Sequence, residues 1–175
     1  MDDLMVPLEA VRDFLDMGGD VLSLITVTIF FMWLLIVERL IYFRTGMNKL
    51  EQEIRGAWEA RPERKSWNAA QIREAMISRF SMAANSGVPV IQTLVALCPL
   101  LGLMGTVTGM IEVFDVMAIS GSGNARSMAA GVSKATIPTM AGMVGALSGV
   151  FLITLITRSI QTRIEHIEDT LTTDH

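Results

Sequence analysis

The stretch LGLMGTVTGM, residues 101–110, is as apolar as a membrane span but is unusually rich in small and hydroxylated side chains. Gly102, Gly105 and Gly109 lie three and four residues apart, so in a helix they share one face. Lipid tails give no hydrophobic drive for helix association, and small residues instead let two backbones approach closely. The stretch therefore predicts a close helix–helix contact inside a membrane.

Three long apolar runs extend this interpretation to the whole chain. Of its 175 residues, 51% are hydrophobic and only 18% are charged, a balance typical of a membrane domain. The runs predict spans at residues 21–43, 87–117 and 134–157, and each can cross about 30 Å of hydrocarbon as a helix. We therefore expect an all-α membrane protein with a single domain, 1–175.

Basic residues predict the orientation of these spans. Most of the lysines and arginines lie in residues 39–79, and cytoplasmic loops carry such an excess. We expect segment 44–86 and tail 158–175 to be cytoplasmic, and segments 1–20 and 118–133 to lie outside. The acidic segment before the first span, without a small-residue cleavage pattern after it, is unlike a cleaved signal peptide.

The cytoplasmic segments carry helical patterns of their own. Apolar residues recur at helical spacing within 50–58 and 72–83, on either side of a break at 61–66. A further stripe in the tail consists of Ile160, Ile164, Ile167 and Leu171. These patterns predict amphipathic helices that extend the spans, either packed against neighbouring subunits or lying on the lipid headgroups.

The third span repeats the glycine pattern of the second. Gly142, Gly145 and Gly149 fall at the same steps of three and four, which predicts that the two glycine faces pack spans two and three together. Thr106 and Thr139 lie beside these faces, near mid-span. A threonine in a span usually bonds a carbonyl of its own helix, but two on matched faces also suit a polar path.

Chemistry of other kinds finds little support. His166 and His175 lie in the tail, and Cys98 is the single cysteine, so we expect no enzyme activity, metal site or cofactor. Nothing in the charge pattern suggests a nucleic-acid partner.

Two stretches carry a family resemblance. GLMGTVTGMI, residues 102–111, and GVSKATIPTMAG, residues 131–142, resemble the signature stretches of the ExbB/TolQ/MotA family of proton-channel subunits. The resemblance implies a bacterial inner-membrane protein with a periplasmic N-terminus. It further implies a homo-oligomeric ring, a pentamer, around two single-span partner helices of the ExbD type. The pore threonines of the family carry over onto Thr106 and Thr139.

Charged residues avoid the centres of spans two and three. A proton path usually needs an intramembrane carboxylate, so here the resemblance implies that an aspartate of the ExbD-like partner supplies it. ExbB and TolQ relatives commonly have a glutamate where this chain has Lys134. We expect Lys134 to pair with Asp115 or Glu112 at the outer mouth of the pore, or to snorkel to the headgroups.

Three spans and a short loop favour an ExbB-like or TolQ-like subunit over a MotA-like one, and ExbB is favoured because loop and tail are both short. That resemblance implies a TonB-like partner and proton-driven outer-membrane transport of iron chelates or similar cargo. The alternatives are a TolQ-like subunit for envelope maintenance and a non-conducting scaffold.

Overall fold

The computed structural model describes residues 5–120 and 125–171, with side chains from residue 19 onward except those of residues 120, 125 and 127. Four helices make up this part of the chain: α1 (Met5–Glu59), α2 (Trp67–Asn85), α3 (Val88–Ser120) and α4 (Ala125–Thr170). Two glycines interrupt the path. Gly19 breaks α1 with a φ of 66°, and Gly87 separates α2 from α3 with a φ of 79°, a backbone region that L side chains rarely adopt.

Three helical stretches are long and apolar enough to cross a membrane: Gly19–Glu59, Trp67–Ile119 and Met128–Thr170. The prediction of an all-helical protein with three long apolar helices is confirmed. Large apolar side chains on these helices are exposed in the single chain, as with Phe151 at 66% and Leu147 at 67%. Such surface suits contact with lipid or with other membrane helices.

The chain divides into two units, and the first comprises Met1–Trp33 and Thr93–Val150. In it the part of α1 that follows Gly19 packs with α3 and α4. Leu22, Ile25 and Met32 of α1 and Cys98 of α3 are completely buried there. This unit contains both glycine faces and both candidate pore threonines.

The second unit comprises Leu34–Gln92 and Phe151–His175. Its core includes Trp58 of α1 and Phe80 of α2, which are 2% and 0% exposed. The predicted break at 61–66 falls between α1 and α2, and α2 begins where the Ser66 hydroxyl accepts a hydrogen bond from the N–H of Ala69 at 3.2 Å. A serine at this position satisfies an N–H that the first turn leaves without a helical partner.

The apolar stripe of the tail is buried within this second unit. Ile160, Ile164, Ile167 and Leu171 are all less than 9% exposed. This differs from both expected arrangements, since the chain's own helices cover the stripe. The physical reason is that α1 continues to Glu59 and provides an apolar face, including Ile54, beside Ile167 and Leu171.

Two arginines of the second unit bind the carboxyl ends of helices. Arg39 is 8% exposed and donates to the carbonyls of Ala83 and Ala84, at 2.7 and 2.6 Å, in the last turn of α2. Arg73 donates in the same way to Glu168 and Leu171 at the end of α4. The last carbonyls of a helix have no helical partner, so a guanidinium there satisfies them and complements the helix dipole.

Candidate functional site

The site is built on the contact between α3 and α4, which is close enough for backbones to touch. A Cβ added to Gly102 would lie 2.9 Å from the Cα of Thr139, and one added to Gly142 would lie 2.5 Å from the carbonyl oxygen of Cys98. Side chains essentially never come this near to backbone atoms. The absence of a Cβ at both positions therefore permits the close packing of the two helices.

The contact continues along α3 in the direction of Ser120. Gly105 lies against the ring of Pro138, and a Cβ on Gly109 would lie 2.6 Å from the Cβ of Ala135. The residue numbers of the contacts on α4 fall as those on α3 rise, so the two helices are antiparallel. Thr139 is accordingly opposite Gly102, about one helical turn along α3 from Thr106.

Gly145 differs from the expectation that every glycine lies between spans two and three, and Gly149 meets this expectation but also contacts span one. Gly145 faces Ile29 of α1, and Gly149 meets both Val95 of α3 and Met32 of α1. The reason is the helical rotation of about 100° per residue, which turns position 145 about 60° away from position 142. The α4 glycine face therefore serves two neighbours, not one.

Thr139 joins the two helices by a hydrogen bond. Its hydroxyl donates to the Gly102 carbonyl at 2.8 Å, and the side chain is half-buried. A carbonyl oxygen has two lone pairs, so Gly102 can accept this bond in addition to a helical one. Interhelical bonds of this kind fix the register of two packed membrane helices.

Thr106 bonds within its own helix. Its hydroxyl donates to the Leu103 carbonyl at 2.7 Å, three residues earlier, and the side chain is half-buried. The structure therefore does not bring the hydroxyls of Thr106 and Thr139 together, since each donates its proton to a different α3 carbonyl. Both oxygens retain lone pairs that can accept a hydrogen bond.

Lys134 forms an ion pair with Glu112, one of the two acids expected for it. The distance from Nζ to Oε2 is 3.0 Å, and the two side chains are 43% and 62% exposed. At this exposure such a pair contributes at most about 1 kcal/mol to stability. It lies at the same end of the first unit as Gly109 and Ala135.

A cavity of about 290 Å³, lined in part by charged side chains, adjoins this ion pair, and we call it the Lys134 cavity. Its lining consists of Gly19, Asp20, Val21, Gly105, Thr108, Gly109, Glu112 and Lys134. Sequence reasoning missed it, because the contribution of α1 depends on the break at Gly19. The Gly18-Gly19 pair before the first span was the available signal.

Within the part of the chain that the structure describes, no three histidine, cysteine, aspartate or glutamate residues are grouped to hold a metal ion. Cys98 is a buried free thiol in α3. The arrangement offers close helix packing, a few hydroxyls and a cavity beside an ion pair, which are features of a membrane channel or scaffold.

The fold and the site thus define a multi-pass membrane protein whose spans pack through glycine faces lined by hydroxyl groups. The sequence model of the MotA/TolQ/ExbB proton channel family matches residues 41–169. The chain belongs to this family, and it is a multi-pass protein of the inner membrane. The family is one of channels, with ExbB-type proteins among its members.

Individual relatives point to ExbB. The chain is 40% identical over 77 residues to biopolymer transport protein ExbB-like 1 of Synechocystis sp., which covers 42% of this chain and 30% of the relative. It is 37% identical over 86 residues to biopolymer transport protein exbB1 of Vibrio cholerae, covering 47% of this chain and 38% of that protein. The matched stretches thus span about a third of the length of these relatives.

Proposed function

We propose that this chain is the proton-channel subunit of an inner-membrane motor of the ExbB–ExbD type. The motor uses the proton motive force to drive TonB-dependent outer-membrane transport of iron chelates or similar cargo. The observation that carries the proposal is the α3–α4 contact, where glycines and hydroxyls meet within the stretch that matches the channel family. The similarity to ExbB-type relatives supports this subgroup.

The proposed assembly is a ring of five copies around two single-span helices of an ExbD-like partner. Exposed apolar side chains such as Phe30, Leu147 and Phe151 support association in the membrane, because they offer surface to neighbouring helices. A TonB-like protein and membrane lipids are the further partners. In the proposed orientation the N-terminus is periplasmic, and segment 44–86 and the C-terminus are cytoplasmic, as the excess of bases in that segment favours.

The proton path requires a carboxylate from the partner. Residues 80–111 and 135–157 contain no charged side chain, so this chain has no titratable acid at mid-membrane depth in α3 or α4. An aspartate in the partner's span supplies it in this proposal. Thr106 and Thr139 line the path that this aspartate meets.

The hydrogen bonds of the two threonines favour an accepting role. Each hydroxyl proton is already donated to a carbonyl, at 2.7 Å for Thr106 and 2.8 Å for Thr139. A protonated aspartate can therefore donate to the Thr106 oxygen, an interaction that favours its neutral form. Release of the proton then requires the hydroxyl to rotate and donate, or the aspartate to leave this position.

A non-conducting scaffold is the second candidate, and the same two hydrogen bonds favour it. Both hydroxyl protons have partners within the chain, which is the ordinary state of a threonine in a packed membrane helix. A TolQ-like role in envelope maintenance is a variant of the first candidate with other partners.

Growth on an iron chelate tests the proposal. The chain is expressed with its ExbD-like and TonB-like partners in cells that lack their own, and Thr106→Val removes one hydroxyl at nearly constant volume. We expect intact assembly but reduced growth. Thr28→Val is the matched control, because the Thr28 hydroxyl bonds the Leu24 carbonyl at 2.8 Å on another helix. Full growth of the Thr106→Val, Thr139→Val double variant would favour the scaffold.

A further inference from the structure

The Lys134 cavity is bounded by three helices of the first unit. α1 contributes Gly19, Asp20 and Val21 at its break, α3 contributes one face, and α4 contributes Lys134. The left-handed backbone of Gly19 starts α1 in a new direction at this point, and a Cβ there would lie 4.0 Å from Cε of Lys134. The break and the cavity are therefore parts of one local arrangement.

The cavity reaches well down α3 from the ion pair. Its α3 lining runs from Glu112 to Gly105, which at 1.5 Å per residue corresponds to about 10 Å along the helix. Thr106 is at nearly the same level along α3 as Gly105 but about 100° around the helix from it, and it is not part of the lining. In the proposed orientation Glu112 and Lys134 lie at the outer end, so the cavity leads from that end towards the level of Thr106.

The lining suits water. Asp20, Glu112 and Lys134 surround one end, and Thr108 lies further in with its hydroxyl 3.1 Å from the carbonyls of both Met104 and Gly105. The Thr108 hydroxyl donates its proton to these carbonyls and can accept from a water molecule. A cavity of about 290 Å³ has room for several water molecules.

A second cavity in the same unit makes the contrast clear. It is larger, at about 500 Å³, but its lining is mainly apolar, with Leu22, Ile25, Ile29 and Val144 among its residues. A water molecule in a cavity needs about two to four polar partners, and a mainly apolar lining provides few of them. Of these two cavities, the Lys134 cavity is the one suited to an aqueous path.

We propose that the Lys134 cavity is a water-filled half-channel within a single subunit, and that it carries protons from the outer face to the level of Thr106. This inference rests on the proposed function and its orientation. The Lys134–Glu112 pair is neutral overall, so Asp20 gives the mouth a net negative charge that attracts cations such as hydronium. Protons pass along the waters by exchange, and no group of the chain is consumed.

Cysteine labelling tests for the water directly. In a Cys98→Ala background, Thr108→Cys places a thiol in the cavity wall of the complex assembled with its partners. A membrane-impermeant, cationic methanethiosulfonate is then added to the outer face of spheroplasts. We expect rapid labelling of Thr108→Cys and none of the wild-type chain, whose buried Cys98 serves as the background.

The route is tested by filling the cavity from α1. Val21 lies in the lining, whereas Val27 on the same helix is 51% exposed and outside it. Val21→Phe should slow the labelling of Thr108→Cys, and Val27→Phe should leave the rate unchanged. Labelling should also reduce proton-driven uptake relative to the same variant before labelling. The yield of assembled complex is measured for each variant.

The results separate this inference from the proposed function. If Thr108→Cys is not labelled in an assembled complex, the half-channel is contradicted, whether or not the complex supports proton-driven uptake. Two results would show that the cavity is not the proton route. One is that Val21→Phe does not slow the labelling of Thr108→Cys, and the other is that labelling leaves proton-driven uptake unchanged. A wild-type complex without proton-driven uptake contradicts the proposed function, and the labelling still decides whether the cavity holds water.

Discussion

Gly142 and Gly145 lie one helical turn apart on α4, yet alanine should be less favourable at Gly142 than at Gly145. A Cβ at Gly142 would lie 2.5 Å from the carbonyl oxygen of Cys98, whereas ordinary contact begins at 3.4 Å. The difference of 3.4 − 2.5 Å requires the two backbones to separate by about 0.9 Å. Backbone of a packed helix cannot rotate out of the way, so the helices themselves must move.

Two opposing effects determine how much each alanine changes the free energy of unfolding. Overpacking of this kind costs roughly 1–3 kcal/mol. Alanine in place of glycine gains back about 1 kcal/mol within a helix at either position. At Gly145 the new methyl meets Cδ1 of Ile29 and would lie 2.7 Å from its Cγ1, and these are side-chain atoms that can shift more easily than backbone. We therefore expect Gly142→Ala to be less stable than Gly145→Ala, by about 1–3 kcal/mol if the Ile29 side chain shifts at little cost.

Unfolding of the purified protein in mixed micelles of mild detergent and dodecyl sulfate, followed by circular dichroism, measures this difference. Both variants change the same residue type on the same helix, so composition and helix propensity cancel in the comparison. Equal stabilities, or a Gly145→Ala variant that is the less stable of the two, would show that the backbone contact at Gly142 does not limit the side chain there.

Three further outcomes are expected. Thr139→Val should lower the free energy of unfolding by about 0.6 kcal/mol, and by no more than about 1.7 kcal/mol, because it removes one interhelical hydrogen bond. Thr106→Val should lower it less, because its hydrogen bond lies within one helix, and equal losses would contradict this. Lys134→Glu should reduce proton-driven uptake because it places two acids together, and adding Glu112→Lys should partly restore the uptake. A double-mutant cycle that shows no coupling between the two positions would indicate that Lys134 extends to the headgroups and does not pair with Glu112. Arg39→Leu should speed hydrogen exchange at the end of α2, because the carbonyls of Ala83 and Ala84 lose a charged donor, and each such hydrogen bond is worth roughly 1.5–3 kcal/mol. Unchanged exchange there would show that Arg39 does not stabilise the end of this helix.

Local sequence was sufficient to predict the helices and the break between α1 and α2. Pro62 interrupts the helical pattern, and Ser66 provides the side chain that begins α2, so both signals lie within a few residues of the feature they determine. The glycine faces were visible for the same reason, because their spacing is a property of one helix.

Features that depend on distant residues could not be predicted in this way. Arg39 was counted only as one of the bases that set orientation, yet it is buried against carbonyls 44 and 45 residues away. The position of Gly145 against α1 depends on how three helices are arranged around one another. The Lys134 cavity likewise combines residues from three helices, and nothing in the local pattern of Asp20 or Thr108 indicates that they share a lining.

Proton flux through the reconstituted complex shows whether the chain conducts protons along a path lined by Thr106 and Thr139. The chain is purified with its ExbD-like partner and incorporated into liposomes, and a pH-sensitive dye inside them records proton entry under an imposed membrane potential. We expect flux for the wild-type complex and for Thr28→Val, and reduced flux for Thr106→Val. Flux in the Thr106→Val, Thr139→Val double variant equal to that of the wild type, with the complex assembled, would contradict this expectation.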